Sequence, residues 1–242
     1  MQVSIVDVRA GVIIDVEATS AHRNQEVDAT RTMIERTEQR FALKPKRLIG
    51  DMAYGSGAML GWLVDTKHIE PHIPVWDKSE REDGTFSRGD FTWDGRADEY
   101  RCPGNKPLRR EWRAFTTPRT HITKAGTIIY SARQSDCSVC PLKSRCCPNM
   151  PFRRIARSVH EGARDIARAL SRTRRYRQSR KDRKKVEMLF AHLKRILRLD
   201  RLRLRGPNGA SDEFLLAATA QNLRRMARYL GIPPPQPCVA AA

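Results

Sequence analysis

Two carboxylates stand where their neighbours could turn them to chemistry. Asp51 closes the short run Arg47-Leu48-Ile49-Gly50 and opens a glycine-rich turn, Met52-Ala53-Tyr54-Gly55-Ser56-Gly57. An acid at the end of a strand lies where open α/β sheets gather their chemistry, although an Asx turn or a helix N-cap is the plainer role. Glu187 stands in Arg180–Arg205, a stretch that reads as helix. From Ser171 to Arg205 there are fifteen Lys or Arg against three acids, Asp182, Glu187 and Asp200, which is net +12 in 35 residues. Helical periodicity puts Val186, Leu189, Phe190, Leu193 and Leu197 on one apolar stripe. Arg183, Glu187, Lys194 and Arg198 follow at offsets of four, seven and four, on a second stripe beside it. In isolation Glu187 reads as the ion-pair partner of Arg183 on a surface helix. With Asp51 it gains a second reading, because Mg²⁺ needs only one or two carboxylates besides water and phosphate oxygens. Two such ions activate a water or 3′-hydroxyl and stabilise the leaving oxygen in phosphodiester transfer.

The cysteines suggest a softer metal. Cys137-x2-Cys140-x5-Cys146, with Cys147 adjacent and Cys102 35 residues before Cys137, offers four thiolates, Cys102, Cys137, Cys140 and Cys146, to a structural Zn²⁺. The second knuckle is not a clean Cys-x2-Cys, so Cys146 and Cys147 compete as ligands, and unmetallated thiols or a disulfide stay open. Cys238 lies in the tail as a bystander. The six histidines show no ligand spacing.

The whole chain is basic, with net charge +19 over 242 residues and an isoelectric point of about 10.4. That balance calls for an anionic polymer, most simply nucleic acid. Arg172–Lys185 and Arg195–Arg205 would neutralise several phosphates, and Arg180, Lys184, Lys185, Arg195 and Arg198 are the candidate DNA contacts. Tyr176 is the one candidate for stacking on a base there. Trp62, Trp76, Trp93 and Trp112 read as packing groups. The chain has no apolar run long enough to span a bilayer and no signal-peptide pattern at its start, so a cytosolic protein with reduced thiols is expected.

The elements that must position these groups follow in order. Val3–Val6 and Val12–Val16 predict a hairpin, with Ile13, Asp15 and Glu17 on one face and the two acids solvated. A helix is expected from about Gln25 to Arg40, then strand Arg47–Gly50, helix Ala58–Lys67, and an edge strand Ile69–Val75 weakened by Pro71 and Pro74. From Trp76 to about Pro151 the texture is that of an insert with its own small core, with six prolines in Pro103–Pro151 and five of the six cysteines. Helices follow through His160–Arg177 and Arg183–Leu199, and Arg205-Gly206-Pro207-Asn208-Gly209 reads as a break. A last helix, Asp212–Tyr229, offers Phe214, Leu215, Ala218, Leu223, Met226 and Leu230 for packing. This order is that of an α/β domain with a mixed sheet. The expected divisions are 1–75, an insert 76–155, a helical second half 156–230, and a disordered tail 231–242.

The string LIGDMAYGSGAMLGWL around Asp51, joined to RKKVEMLFAHLKRILRLDRLRLRG around Glu187, resembles bacterial insertion-sequence transposases of the DDE superfamily. Their Tyr-x2-Arg-x3-Glu-x6-Lys signature is matched by Arg183, Glu187 and Lys194, while Arg180 stands at the tyrosine position. The runs RLRG and Asn222–Arg228 also resemble the ends of such proteins, so the likeness extends to about Leu230. It implies an RNase H-like mixed sheet with flanking helices, interrupted here by the Cys-containing insert. It implies that Asp51 and Glu187 hold Mg²⁺ or Mn²⁺, with Arg183 and Lys194 contacting phosphate or orienting the glutamate. The partners would be element ends and target DNA, in the bacterial cytoplasm at the nucleoid; self-association as a homodimer is compatible with this, and no membrane is involved. The family's first aspartate lies on a strand upstream of a unit like Val3–Val16. Asp7 corresponds better to an acid ending the second strand, and Asp15 lies on the third. The chain is therefore expected to lack the first strand, the first catalytic aspartate and any N-terminal helical DNA-binding domain. Two functions follow: a transposase fragment that cleaves and joins DNA, or a catalytically inactive DNA-binding remnant. An RNA-binding protein of ribosomal type is a third.

Overall fold

The structure, a computed structural model, describes residues 2–20, 23–77, 81–114, 116–117, 120–196 and 201–231, with all their side chains except those of residues 2, 23, 24, 192, 194 and 196. The expectations for the Lys194 side chain, Leu197, Arg198, Cys238 and the tail after residue 231 lie outside the described residues. In chain order the elements begin with β1 (Gln2–Asp7), β2 (Val12–Ala18), α1 (Arg23–Phe41), β3 (Arg47–Ile49), α2 (Gly57–Gly61), a π-helical turn Trp62–Thr66, and β4 (Glu70–His72). There follow β5 (Thr92–Asp94), β6 (Glu99–Arg101), β7 (Pro107–Arg109), β8 (Thr127–Ser131), α3 (Gln134–Ser138), α4 (Lys143–Cys146) and β9 (Arg154–Ser158). The chain ends in α5 (Glu161–Ser171), α6 (Arg174–Ile196) and α7 (Gly206–Tyr229). It is a mixed α/β protein that divides into two compact units, Met1–Tyr54, His68–Pro74 and Ala169–Ala242 in one, Gly55–Lys67 and Val75–Arg168 in the other.

In the first unit β1 and β2 form the expected hairpin, its turn closed by Asp7, whose Oδ1 accepts the N–H groups of Arg9 (2.7 Å) and Ala10 (2.8 Å). The strict alternation read along β2 fails at one point. The register shifts between Ile5, opposite Asp15, and Val6, opposite Ile13, so Ile14 is an extra residue on β2. Beyond that bulge the faces change over. Ile13 and Val16 now pack together with Leu193 of α6 and Phe214, Ala217 and Ala218 of α7. Asp15 and Glu17 are not on a solvated face: Arg36 of α1 binds both, at 2.8 Å each, because the hairpin carries a helix on either side. Where one mixed sheet is expected, β3 and β4 form a separate parallel pair, Ile49 opposite His72.

The late helices depart from expectation in their ends. The helix expected through Arg177 stops at Ser171, because Thr173 turns its hydroxyl to accept the N–H of Tyr176 and starts α6 afresh. The run Gly206-Pro207 is the first turn of α7, where proline's missing N–H costs nothing. Asn222 fixes α7 to the hairpin by exchanging hydrogen bonds with both backbone groups of Ile13, at 2.9 and 2.8 Å. Of the side chains expected to pack from α7, Phe214 and Ala218 are buried, whereas Leu215, Leu223, Met226 and Leu230 are more than half exposed.

The second unit is built on the antiparallel sheet β5-β6-β7-β8-β9. Tyr100, Leu108, Tyr130 and Ile155 form its core with Cys146 and Cys147, and Trp93 packs against them. Trp93 carries Arg157 on its face at 4.0 Å, while Trp76 stays nearly half exposed. Glu161, 1% exposed at the start of α5, accepts Arg88 and Arg168 at 2.8 Å and Arg164 at 3.3 Å. Asp77 joins the same three arginines from the other side.

Candidate active site and cysteine cavity

β3 delivers Asp51 through Gly50, where a side chain would come within 3.3 Å of Tyr54 and Ile73. The Asp51 carboxylate is exposed and accepts the N–H of Ala53 at 2.8 Å, an Asx turn that begins the 3₁₀ turn Met52–Tyr54. Burial raises the Tyr54 phenol above its ordinary pKa against the opposing hydrogen bond of Thr30, and the charges of Glu26 and Asp51 add to the rise.

α6 presents Glu187 on its outer side, with Arg183 Nε 3.0 Å from Glu187 Oε1 and both side chains widely exposed. Its apolar stripe works as the periodicity predicts: Leu193 is buried, with Leu189 and Phe190 beside it. The polar anchors of α6 were not legible. Asp182 is buried and takes Gln178 at 3.1 Å and Lys185 at 3.2 Å, with Arg47 of β3 at 3.9 Å. Ser179 Oγ lies 2.7 Å from Nδ1 of the buried His72 on β4, and Arg175 binds Glu70 at 2.9 Å. Tyr176 is not a base stacker, because its ring packs 5.7 Å from His72 and is buried. Only its neighbours in sequence signalled this: Tyr176, Ser179 and Asp182 recur at helical spacing on one face.

Arg180, Lys184, Lys185 and Arg195 are all exposed, leaving a cationic outer surface on α6. Gly50, Arg183 and Val186 line one groove, so Asp51 and Glu187 each follow directly on a residue of its wall.

The cysteines are gathered by the second unit. Cys102, Cys137, Cys140, Cys146 and Cys147 are all free and line one small cavity of about 30 Å³. Cys102 heads a tight turn, accepting the N–H of Lys106 on its sulfur at 3.2 Å. A methyl group at Gly104 would meet the sulfurs of Cys102 at 3.7 Å and Cys140 at 4.0 Å, so these two thiols approach one point. Burial, then the neighbouring Cys147, push the Cys146 thiol up to about 12, and burial raises Cys137 as well. Among the described residues no group of three or more His, Cys, Asp or Glu is already arranged to hold a metal ion. No described helix is long and apolar enough to cross a membrane.

A family model described as a transposase DDE domain matches residues 101–227, just over half of the chain. The matched span holds all five clustered cysteines, α5, α6 and Glu187, and leaves Asp51 outside. No curated protein matches the chain, and no solved structure does.

Proposed function

Because the chain belongs to the transposase DDE-domain family, we propose that its first unit is an RNase H-like body that acts on DNA. In this reading the outer surface of α6, with Arg180, Lys184, Lys185 and Arg195, tracks a phosphate backbone without reading sequence. Asp51 and Glu187 are the acidic positions of phosphodiester cleavage and strand transfer. What supports this is a single observation: Gly50 and Val186, the residues just before the two acids, border the same groove together with Arg183.

The acids suit a hard divalent ion such as Mg²⁺ or Mn²⁺ in kind but not in number. Two carboxylates are present, one held in an Asx turn and one by Arg183, and no third ligand joins them among the described residues. When bound, such an ion would supply an activated oxygen nucleophile and stabilise the leaving oxygen. Arg183 orients Glu187 by their 3.0 Å hydrogen bond, and the surrounding cations hold phosphate. The shortage of ligands favours a second reading, a DNA-binding remnant that does not cleave. The cysteines suit Zn²⁺ in kind, as soft donors lining one cavity, but are not already arranged around a metal; Cys102, Cys137, Cys140 and either Cys146 or Cys147 would hold it.

Titration of the chain with duplex DNA at several salt concentrations tests the shared part of both readings. Replacing Arg180, Lys184 and Lys185 by Ala should flatten the dependence of log K on log salt by ~0.9 for each phosphate that is no longer neutralised. An unchanged slope removes α6 from the interface. Nicking of the same DNA in Mg²⁺ or Mn²⁺, abolished by Glu187→Gln with binding retained, supports the cleaving enzyme. Nicking that survives Glu187→Gln overturns the role of that residue, and tight binding without any nicking leaves the remnant.

A further inference from the structure

Arg153 stands just before β9, 6% exposed, on the wall of the small cavity that the five cysteines line. Its two terminal nitrogens each donate to a carbonyl, Nη1 to Cys146 and Nη2 to Phe86, both at 2.7 Å. Its Nε has no hydrogen-bond partner among the described residues, and no carboxylate there forms an ion pair with it. The arginines around Glu161 in the same unit are built differently: Arg88, Arg164 and Arg168 each reach both Glu161 and Asp77. A buried charge without a counter-ion is costly, because neutral carbonyls return only part of the lost hydration. The two carbonyls satisfy N–H groups of the guanidinium and none of its charge.

The cavity wall carries groups that can supply the missing charge. Thiols lose their protons on binding a metal, and four thiolates around one divalent ion leave two negative charges in excess. Two cysteines already approach a common point, since a methyl group at Gly104 would meet the sulfurs of both Cys102 and Cys140. The other cations of the wall, Lys106 and Lys143, are exposed and half-buried, so Arg153 is the one that brings its charge inside. The wall's one acid, Asp136, does not pair with it.

We infer that Arg153 is the buried counter-charge of a metal–thiolate centre: its guanidinium offsets the excess charge of four cysteines holding one soft divalent ion, and so sets how tightly that ion is held. The inference rests on the zinc reading of the cysteine cavity and adds to it a residue outside the ligand set. Arg153 is not itself a ligand, because a guanidinium offers donors and no acceptor. It acts through the thiolates, as outer-shell groups do at metal sites.

The test uses the whole chain, stripped of metal under reducing conditions and titrated with Zn²⁺ against a chromophoric chelator, with Co²⁺ as a spectroscopic substitute. Wild type should bind one ion and show the visible absorption of tetrahedral cobalt thiolate. Arg153→Gln, whose amide still reaches one carbonyl, should weaken Zn²⁺ by about 10- to 100-fold, the scale of an outer-shell substitution. The shape of its cobalt spectrum should not change, since the ligands are the same; Arg153→Met serves as a second neutral variant. Arg153→Lys should recover most of the lost affinity, because lysine keeps the charge although it cannot bridge the carbonyls of Phe86 and Cys146. A lysine variant as weak as the neutral ones assigns the residue to tying those carbonyls and overturns the inference. Equal affinity in all the proteins overturns it too and leaves the zinc reading standing. A wild type that takes up neither ion overturns the zinc reading and this inference with it.

Discussion

At His72 the imidazole is 2% exposed, with Nδ1 against Ser179 Oγ at 2.7 Å and the Tyr176 ring 5.7 Å away. Burial lowers its pKa, Arg47 of β3 and Arg175 of α6 lower it further, and Glu70 of β4 opposes them. The folded state therefore disfavours the proton relative to the unfolded chain. The stability His72 contributes is complete above the unfolded value of about 6.5 and is lost as pH falls from there toward the depressed folded value. Urea midpoints measured from pH 8 to pH 5 should decline through this window in the wild type and decline less in His72→Gln. Equal slopes would remove His72 as the cause. A residue such as this is invisible beforehand, because its environment comes from β3 and α6, far apart in the chain. Glu187 is the opposite case: its pairing with Arg183 was readable from spacing alone, since residues four apart on a helix are neighbours wherever the helix goes. Asp51 likewise shows both of its local roles in sequence, the strand end and the Asx turn.

α5 illustrates what an element gains from its packing. Glu161 is buried at its first turn, and burial alone would raise its carboxyl pKa. The hydrogen bond from Arg168 and the charges of Arg88 and Arg164 overcome that and hold it below the usual value. Replacing it with Gln leaves Arg88, Arg164 and Arg168 to share Asp77 and should cost about 3 kcal/mol, the usual scale for breaking a buried ion pair. The lowered pKa means this stabilisation is present above the ordinary carboxylate range and disappears as pH falls through the folded value. Urea denaturation of Glu161→Gln and wild type at pH 7 and pH 3.5 checks both parts, with the difference between them expected to shrink at the lower pH. The helices themselves were legible, because amphipathic periodicity and charge survive any arrangement of neighbours. Their ends were not. Thr173 and Gly206-Pro207 each could break or begin a helix, and only the cap formed by Thr173 Oγ1 with Tyr176 N–H and the entry at Arg205 decide the matter.

On the scale of the whole molecule, two compact units divide the chemistry: the carboxylates and α6 in one, the cysteines in the other. If Zn²⁺ holds the cysteine cavity, protein purified without chelator should carry about one zinc per chain. Stripping it should lower the melting temperature by at least ~5 °C, the shift expected from a loss of about 1 kcal/mol in a domain of this size. Amide exchange should quicken in β6–β8 and α3–α4 and stay unchanged in β1–β4. Absence of zinc together with an unaltered melting curve would return the cysteines to the role of buried thiols. Sequence by itself determined the α/β class, the hairpin, the cationic helix with its Arg183–Glu187 pair, the clustering of five cysteines between residues 102 and 147, and the resemblance to DDE transposases, all of which rest on local periodicity, composition and spacing. Tertiary structure alone decided the bulge at Ile14 that turned Asp15 and Glu17 toward Arg36, the burial of Tyr176 against His72, and the groove that Gly50, Arg183 and Val186 share. The reason is the same for each: register, burial and a shared groove are relations between segments distant in sequence, and no single segment carries them.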